Sequence, residues 1–343
     1  MEFKNLLIIN LGGIGDFLLS TPAIKALKEK FKDIRISLLV VNRVKEIAKD
    51  FPYIDKVYVF KKSIFSISNI YNLIRLRKEK FDIAINARTI TSNKSARKIK
   101  FLLDIISPKL KIGRDTENRG YFFDIKIKEP DFGEKYELEY DIDTVRTLGV
   151  NVIDKNIDFF IDKDSFKNVD KILKESNIKE DDILIGIHPG GQPSRRWPIC
   201  YFAEVLDSLY KEIKFRCIIT GINSEKNLAK KILKLSKVPI IDLVGKLNIK
   251  ELGAIIKRFN LYITNDTANM HIAAILNTPL IAIFGPGDIR RYDPRNISEK
   301  AVVFYRKVSC SPCNNYRCKS IMCLKMIKPK EIIEESIKIL KNV

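Results

Sequence analysis

Four short segments, three of them with glycines, set a carboxylate, a guanidinium or a histidine just after an apolar run. The first is Gly12-Gly13-Ile14-Gly15-Asp16, which follows Leu6 to Leu11. Glycines between a strand and a helix let backbone N–H groups close on an anion at the helix N-terminus, so a dinucleotide site is the first chemistry to test. The third glycine of G-x-G-x-x-G would fall at Leu18, and the second apolar run ends in Val41-Asn42-Arg43 without the acid that holds a ribose. Asp16 would also repel a pyrophosphate, although a helix macrodipole stabilises a carboxylate in that place. Two roles stay open for Asp16: a general base that takes a proton from a hydroxyl, or a cap for its own helix.

The second segment, His188-Pro189-Gly190-Gly191-Gln192-Pro193-Ser194-Arg195-Arg196-Trp197-Pro198, has two glycines to bring N–H groups onto phosphate oxygens. Arg195 or Arg196 can neutralise a leaving diphosphate there. Trp197 reads as a core residue. Third, Asn265-Asp266-Thr267-Ala268-Asn269-Met270-His271 joins an apolar run to a helical pattern. Asp266 or Thr267 stands at the cap, so this start is either an anion site or a capped end, with His271 one turn inside. Phe284-Gly285-Pro286-Gly287-Asp288 forms a fourth turn.

The elements that must carry these turns alternate. Leu6 to Leu11, Ile34 to Val41, Val57 to Phe60 and Ile83 to Asn86 read as strands, with an amphipathic helix over Pro22 to Phe31. Such alternation predicts an α/β fold with a parallel, doubly wound sheet. From about Gly120 to Asp182 the chain is more polar, with one helical pattern near Tyr136 to Leu148, and the domain junction is expected there. The pattern resumes with strands over Ile183 to His188, Cys217 to Thr220, Ile240 to Val244, Leu261 to Thr264 and Leu280 to Phe284. Helices are expected over Tyr201 to Lys211 and Thr267 to Leu276, and Lys328 to Lys341 closes the chain as an amphipathic helix. Two Rossmann-like domains are expected, 1–165 and 166–343, facing across a cleft, with the last helix (about 328–342) packing back on the first domain.

At 343 residues the chain is long enough for two cores. The net charge of +20 favours anionic partners and agrees equally with a lysine-rich, solvated surface. No RNA-binding signature accompanies it, so no nucleic-acid partner is expected. The opening Met1-Glu2-Phe3-Lys4 lacks a signal peptide's basic end, and no apolar run has the roughly 18 residues of a spanning helix, so a cytoplasmic place is expected. Cys310, Cys313, Cys318 and Cys323 form C-x2-C-x4-C-x4-C, whose first pair has metal-ligand spacing, although reduced thiols or a redox-sensitive pair fit a cytoplasmic protein better. Cys200 and Cys217 fall on core patterns. Asp141-Ile142-Asp143 matches a metal-binding D-x-D but lies on a helical pattern, where coincidence explains it.

Together, GGIGD-x5-PAIKAL, HPGG-x4-RWP and NDT-x3-H-x2-A-x4-P-x4-FGP resemble glycosyltransferase family nine, the heptosyltransferases of lipopolysaccharide core synthesis, over nearly the whole chain. The resemblance implies a GT-B fold and an inverting transfer that needs no metal and no cofactor, with Asp16 as the base on a loop of Gly12, Gly13 and Gly15. It implies a nucleotide-sugar donor, ADP-heptose in this family, bound by Gly190, Gly191, Arg195, Glu225, Lys246, Leu247, Asp266, Thr267, Ala268 and His271. Here Glu225 matches the ribose-binding acid. The acceptor would be a glycolipid or glycan, reached at the inner face of the cytoplasmic membrane through contact with anionic lipid. The sequence departs from the family at Arg195, where Lys is usual, at Ala268, where Gly is usual, and at Gly287, where Thr is common. Two other functions remain open: a nucleotide-sugar-binding protein without turnover, and a sugar-nucleotide epimerase on the same fold.

Overall fold

The computed structural model describes residues 3–61, 66–131, 133–313 and 315–342. Met1 and Glu2, at the head of the opening segment, lie outside them. The chain divides into two compact units, 1–160 and 161–343.

In the first unit the order is β1 (Asn5–Asn10), α1 (Ile14–Lys30), β2 (Arg35–Val41), α2 (Lys45–Ala48), β3 (Lys56–Phe60), α3 (Ile67–Lys78), β4 (Ile83–Asn86), α4 (Asn93–Ile106), β5 (Leu110–Thr116), β6 (Ile125–Glu129) and α5 (Glu137–Arg146). The strands form one parallel sheet ordered β3-β2-β1-β4-β5-β6. The chain reverses direction across the sheet between β1 and β4, and ligands of open α/β sheets collect beyond the carboxyl ends of strands at such a point. The fully buried Leu7 and Ile9 of β1 and Ala84 of β4 pack under α3 and α4 through Leu73, Leu76, Ile99, Leu102 and Leu103.

Helix α1 begins at Ile14, where the Gly-rich turn opens it, and runs on through Pro22, so the amphipathic stretch over Pro22 to Phe31 is its second half. Proline removes the N–H that would bond to the carbonyl four residues back. Thr21 Oγ1 donates to that carbonyl, Leu18 O, at 2.7 Å, which removes much of the cost. Strands β5 and β6 were not legible as strands. They run parallel, yet only residues 117–124 connect them, with Glu117 and Asn118 in the left-handed region instead of a helix.

The second unit repeats the plan: α6 (Lys163–Glu175), β7 (Leu184–His188), α7 (Ile199–Glu212), β8 (Arg216–Ile219), α8 (Lys226–Leu235), β9 (Ile240–Asp242), α9 (Ile249–Ile256), β10 (Leu261–Asn265), α10 (Ala268–Ile275), β11 (Leu280–Phe284), α11 (Ile289–Tyr292), β12 (Ala301–Tyr305), α12 (Met322–Lys325) and α13 (Pro329–Lys341). Its parallel sheet is ordered β12-β11-β10-β7-β8-β9, with the switch between β7 and β10.

The division falls ahead of α6 rather than inside it at 165. Before it, Lys25 pairs with Asp154 at 2.7 Å and the Phe160 ring meets Phe51 edge-on, tying the segment to the first unit. After it, Asp162 caps α6 through Ser165 N and pairs with Lys250. The last helix spends its apolar face within the second unit: Ile332 and Leu340 of α13 join the core that holds Trp197, against α7. Cys217 is buried on β8 as expected, whereas Cys200 is exposed, because α7 buries Phe202, Ala203, Val205, Leu206 and Leu209 and turns Cys200 outward. All six cysteines are free thiols. Among the described residues no group of three or more His, Cys, Asp or Glu is arranged to hold a metal ion.

Candidate functional site

Asp16 lies in the first turn of α1, just past β1. Its Oδ2 accepts Gly13 N–H at 2.6 Å, so it does cap its helix. A Cβ on Gly12 would come 2.5 Å from the same oxygen, so the carboxylate can fold back only over a glycine. The other oxygen, Oδ1, pairs with Arg88 Nη1 at 2.7 Å. Arg88 follows β4 directly, so this pair bridges the two strands that flank the switch point.

Behind the pair lies a buried chain of charges. Arg88 also reaches Glu137 Oε1 at 2.9 Å, and Glu137 meets Arg114 Nη1 at 2.6 Å. Arg114, fully buried on β5, further pairs with Glu129 at 3.2 Å and with Asp141 at 2.5 Å. Asp16, Arg88, Arg114, Glu129, Glu137 and Asp141 thus set two cations against four carboxyls. Burial, with Glu137 beside it, pushes the Asp141 carboxyl up to about 7 against the pull of Arg114. Asp141 therefore serves Arg114, while Asp143 pairs outward with Lys135 and Arg146, and the D-x-D spacing is coincidental. Arg88, Arg114, Glu129 and Glu137 were not singled out from sequence. The available signal was a charge set just after a buried strand, as at Arg88, or inside one, as at Arg114.

In the second unit the turn after β7 and the start of α10 meet across the other switch point. Asn265 Nδ2 donates to Gly190 O at 3.0 Å and Asn265 Oδ1 accepts Trp197 N at 3.1 Å. Trp197 is wholly buried, its Nε1 donating to Ile327 O. Arg195 Nη1 pairs with the buried Asp266 at 2.8 Å, which fixes the guanidinium beside the helix start. Thr267 is the N-cap residue of α10, but its side chain caps nothing, and its Oγ1 is buried without a hydrogen-bond partner. A helix start with uncapped N–H groups, an unused hydroxyl and an oriented guanidinium has the donors that a phosphate would need.

Glu225 joins the adjacent loop to this turn. One oxygen accepts Gly191 N–H at 2.7 Å and the other accepts Ile222 N–H at 2.9 Å. A Cβ at Gly190 would come 2.2 Å from Glu225 Oε1, so the acid packs against bare backbone. Lys246 is exposed and Leu247 half-buried in the turn after β9, which Gly245 N–H ties to Gly221 O at 2.8 Å. His271 is buried one turn into α10, its ring edge-on to Tyr292. His188, at the end of β7, faces Thr220 O through Nδ1 at 3.1 Å, and burial lowers its proton affinity, so it is a neutral structural residue. The departure at Gly287 has a local cause: any Cβ there would lie 2.5 Å from Asp266 Oδ2.

The family model for glycosyltransferase family 9 (heptosyltransferase) matches residues 72–322. The chain belongs to that family. It is 28% identical over 338 residues to lipooligosaccharide heptosyltransferase 2 of Campylobacter jejuni, covering 96% of each chain. Among solved structures, a family 9 glycosyl transferase from Veillonella parvula superposes with a TM-score of 0.80 at 21% identity, over 100% of this chain and 99% of that one. The ADP-heptose lipopolysaccharide heptosyltransferase II of Escherichia coli superposes with a TM-score of 0.73 at 19% identity, over 98% and 99%. The fold is therefore the GT-B architecture of two doubly wound sheets, and this family 9 chain is a glycosyltransferase.

Proposed function

We propose that this enzyme moves a heptose from ADP-heptose to a hydroxyl of a lipopolysaccharide-core or other cell-surface glycan, inverting the anomeric carbon without a metal. Asp16 takes the acceptor's proton as the hydroxyl oxygen attacks, and the bond to the nucleoside diphosphate breaks. The leaving phosphate's charge is received by Arg195 and the N–H groups at the start of α10. Glu225, Lys246 and Leu247 hold the ribose and base, and Gly190, Gly191, Ala268 and His271 line the diphosphate. The observation that carries this reading is the unpartnered, buried Thr267 hydroxyl at an uncapped helix start beside Arg195. The choice of donor is supported by the names of the Campylobacter and Escherichia relatives. A glycolipid acceptor places the enzyme at the cytoplasmic face of the inner membrane, in keeping with the +20 charge.

The test is Asp16→Asn assayed for transfer from ADP-heptose and, separately, for ADP affinity by calorimetry. Transfer is expected to be lost with ADP affinity unchanged. Retained transfer, or lost ADP affinity, would leave Asp16 only its capping role.

A further inference from the structure

We infer that the outward face of α3 is a docking surface for an anionic lipid bilayer. Helix α3 is apolar on two sides. Leu73 and Leu76 face the core with Asn69, while Ile67, Ile70, Tyr71 and Ile74 stand in solvent, 87%, 48%, 59% and 51% exposed. At about 100° per residue those four fall in one stripe about 100° wide. Arg75 and Arg77 flank the stripe on opposite sides and Lys78 ends it, all three exposed. No acidic residue lies within α3, and Glu79, just beyond it, is occupied by Lys56 and Tyr58. Helix α4 packs beside α3, and Arg77 Nη1 donates to its Ile105 O. Its own outward positions add Lys94, Arg97 and the 41%-exposed Phe101, with Asp104 beside them paired to Lys100.

A folded chain seldom leaves such a contiguous apolar stripe to water unless something covers it. An apolar stripe flanked and ended by cations, with a tyrosine among the isoleucines, suits a helix lying in the headgroup plane of a membrane. No helix among the described residues is long and apolar enough to cross one. Face to face, a second copy of the chain offers α3 no counter-charge, because α3 has no acidic residue and the exposed Asp104 of α4 is paired with Lys100, whereas anionic headgroups supply it. The surface stands independently of the donor site, since lipid binding is read without turnover.

The test is flotation of the full chain with vesicles of phosphatidylcholine alone and with about one-third phosphatidylglycerol, at low and high salt. The chain is expected on the anionic vesicles only. The variant Ile67→Ser/Ile70→Ser/Ile74→Ser should lose at least about tenfold in partitioning. Arg75→Gln/Arg77→Gln/Lys78→Gln should lose about a hundredfold, near fivefold per cation, together with the salt dependence. All these side chains are exposed, and of their contacts only the Arg77 bond to Ile105 O and the Arg75 stack on Tyr58 and Tyr71 are lost, so thermal melts should stay close to the wild type and separate docking from folding. Absence of wild-type binding, or undiminished binding by both variants, overturns the proposal. So does a wild-type dimer in sedimentation that the isoleucine variant dissolves, which would make the face an interface between copies.

Discussion

Arg114→Met probes the charge chain behind Asp16. The guanidinium is fully buried and is shared by three carboxyls that are themselves nearly or fully buried. Removing one partner of a buried ion pair costs about 3–5 kcal/mol, and with three carboxyls left on a single site we expect about 5 kcal/mol at pH 8. The sign of the pH dependence comes from Asp141, already pushed up to about 7. A carboxyl held above its unfolded value contributes stability that is full below the unfolded value and is lost as pH rises through the folded one. The wild type takes up a proton at Asp141 on going from about pH 8 to 5.5, and the variant must take up one more. That extra proton restores up to about 3 kcal/mol at about 1.4 kcal/mol per pH unit. The expected loss is therefore about 5 kcal/mol at pH 8 and about 2 kcal/mol at pH 5.5. The assay uses the fact that Trp197 is the sole tryptophan and is buried in the second unit. Urea melts followed by tryptophan fluorescence report that unit, while far-UV ellipticity reports both. The ellipticity should gain an early transition as the fluorescence midpoint stays fixed. A loss below about 1 kcal/mol, or equal losses at the two pH values, would refute the reasoning.

Two further predictions concern the proposed donor site. Arg195→Ala should weaken ADP binding at least about tenfold by calorimetry, because it removes a charge-assisted contact and strands Asp266 without its cation. Unchanged affinity would remove Arg195 from the site. Gly190→Ala should lower the melting temperature by several degrees through its clash with Glu225, and Glu225→Ala in the same chain should recover most of that loss. Simple addition of the two single effects would show that the contact does not matter.

Strands that are apolar along their whole length, such as β1, β4, β7 and β11, were legible because a parallel sheet covered on both faces demands unbroken Ile, Leu and Val. The turns at their carboxyl ends were legible for the same reason, so the position of Asp16, Gly190, Arg195 and Thr267 just past a buried strand could be read from sequence. Strand β5 was hidden because Arg114 and Asp115 interrupt its pattern, and β6 because its Lys residues face outward. The Gly-rich turn showed where α1 opens, but Pro22 hid that the amphipathic stretch over Pro22 to Phe31 continues the same helix, and the Thr21 hydroxyl shows how that proline sits mid-helix. The charge chain was invisible because its members come from four elements and one loop, and no local spacing links them.

The strand pairs beneath the two candidate sites also carry a consequence for assembly. Leu6 pairs with Ile83 and Leu261 with Ile185, whereas Ile112 pairs with nearby Ile125. Closing a long loop costs entropy before any contact rewards it, so the β5–β6 corner can form early and the switch-point pairs late. A chain emerging from the ribosome cannot bring Asp16 to Arg88 until β4 has been made, nor the Gly190 turn to Thr267 until β10 has. Each candidate site therefore comes into being only with the long-range strand pairing of its own unit, and a partly folded chain would hold neither in working order.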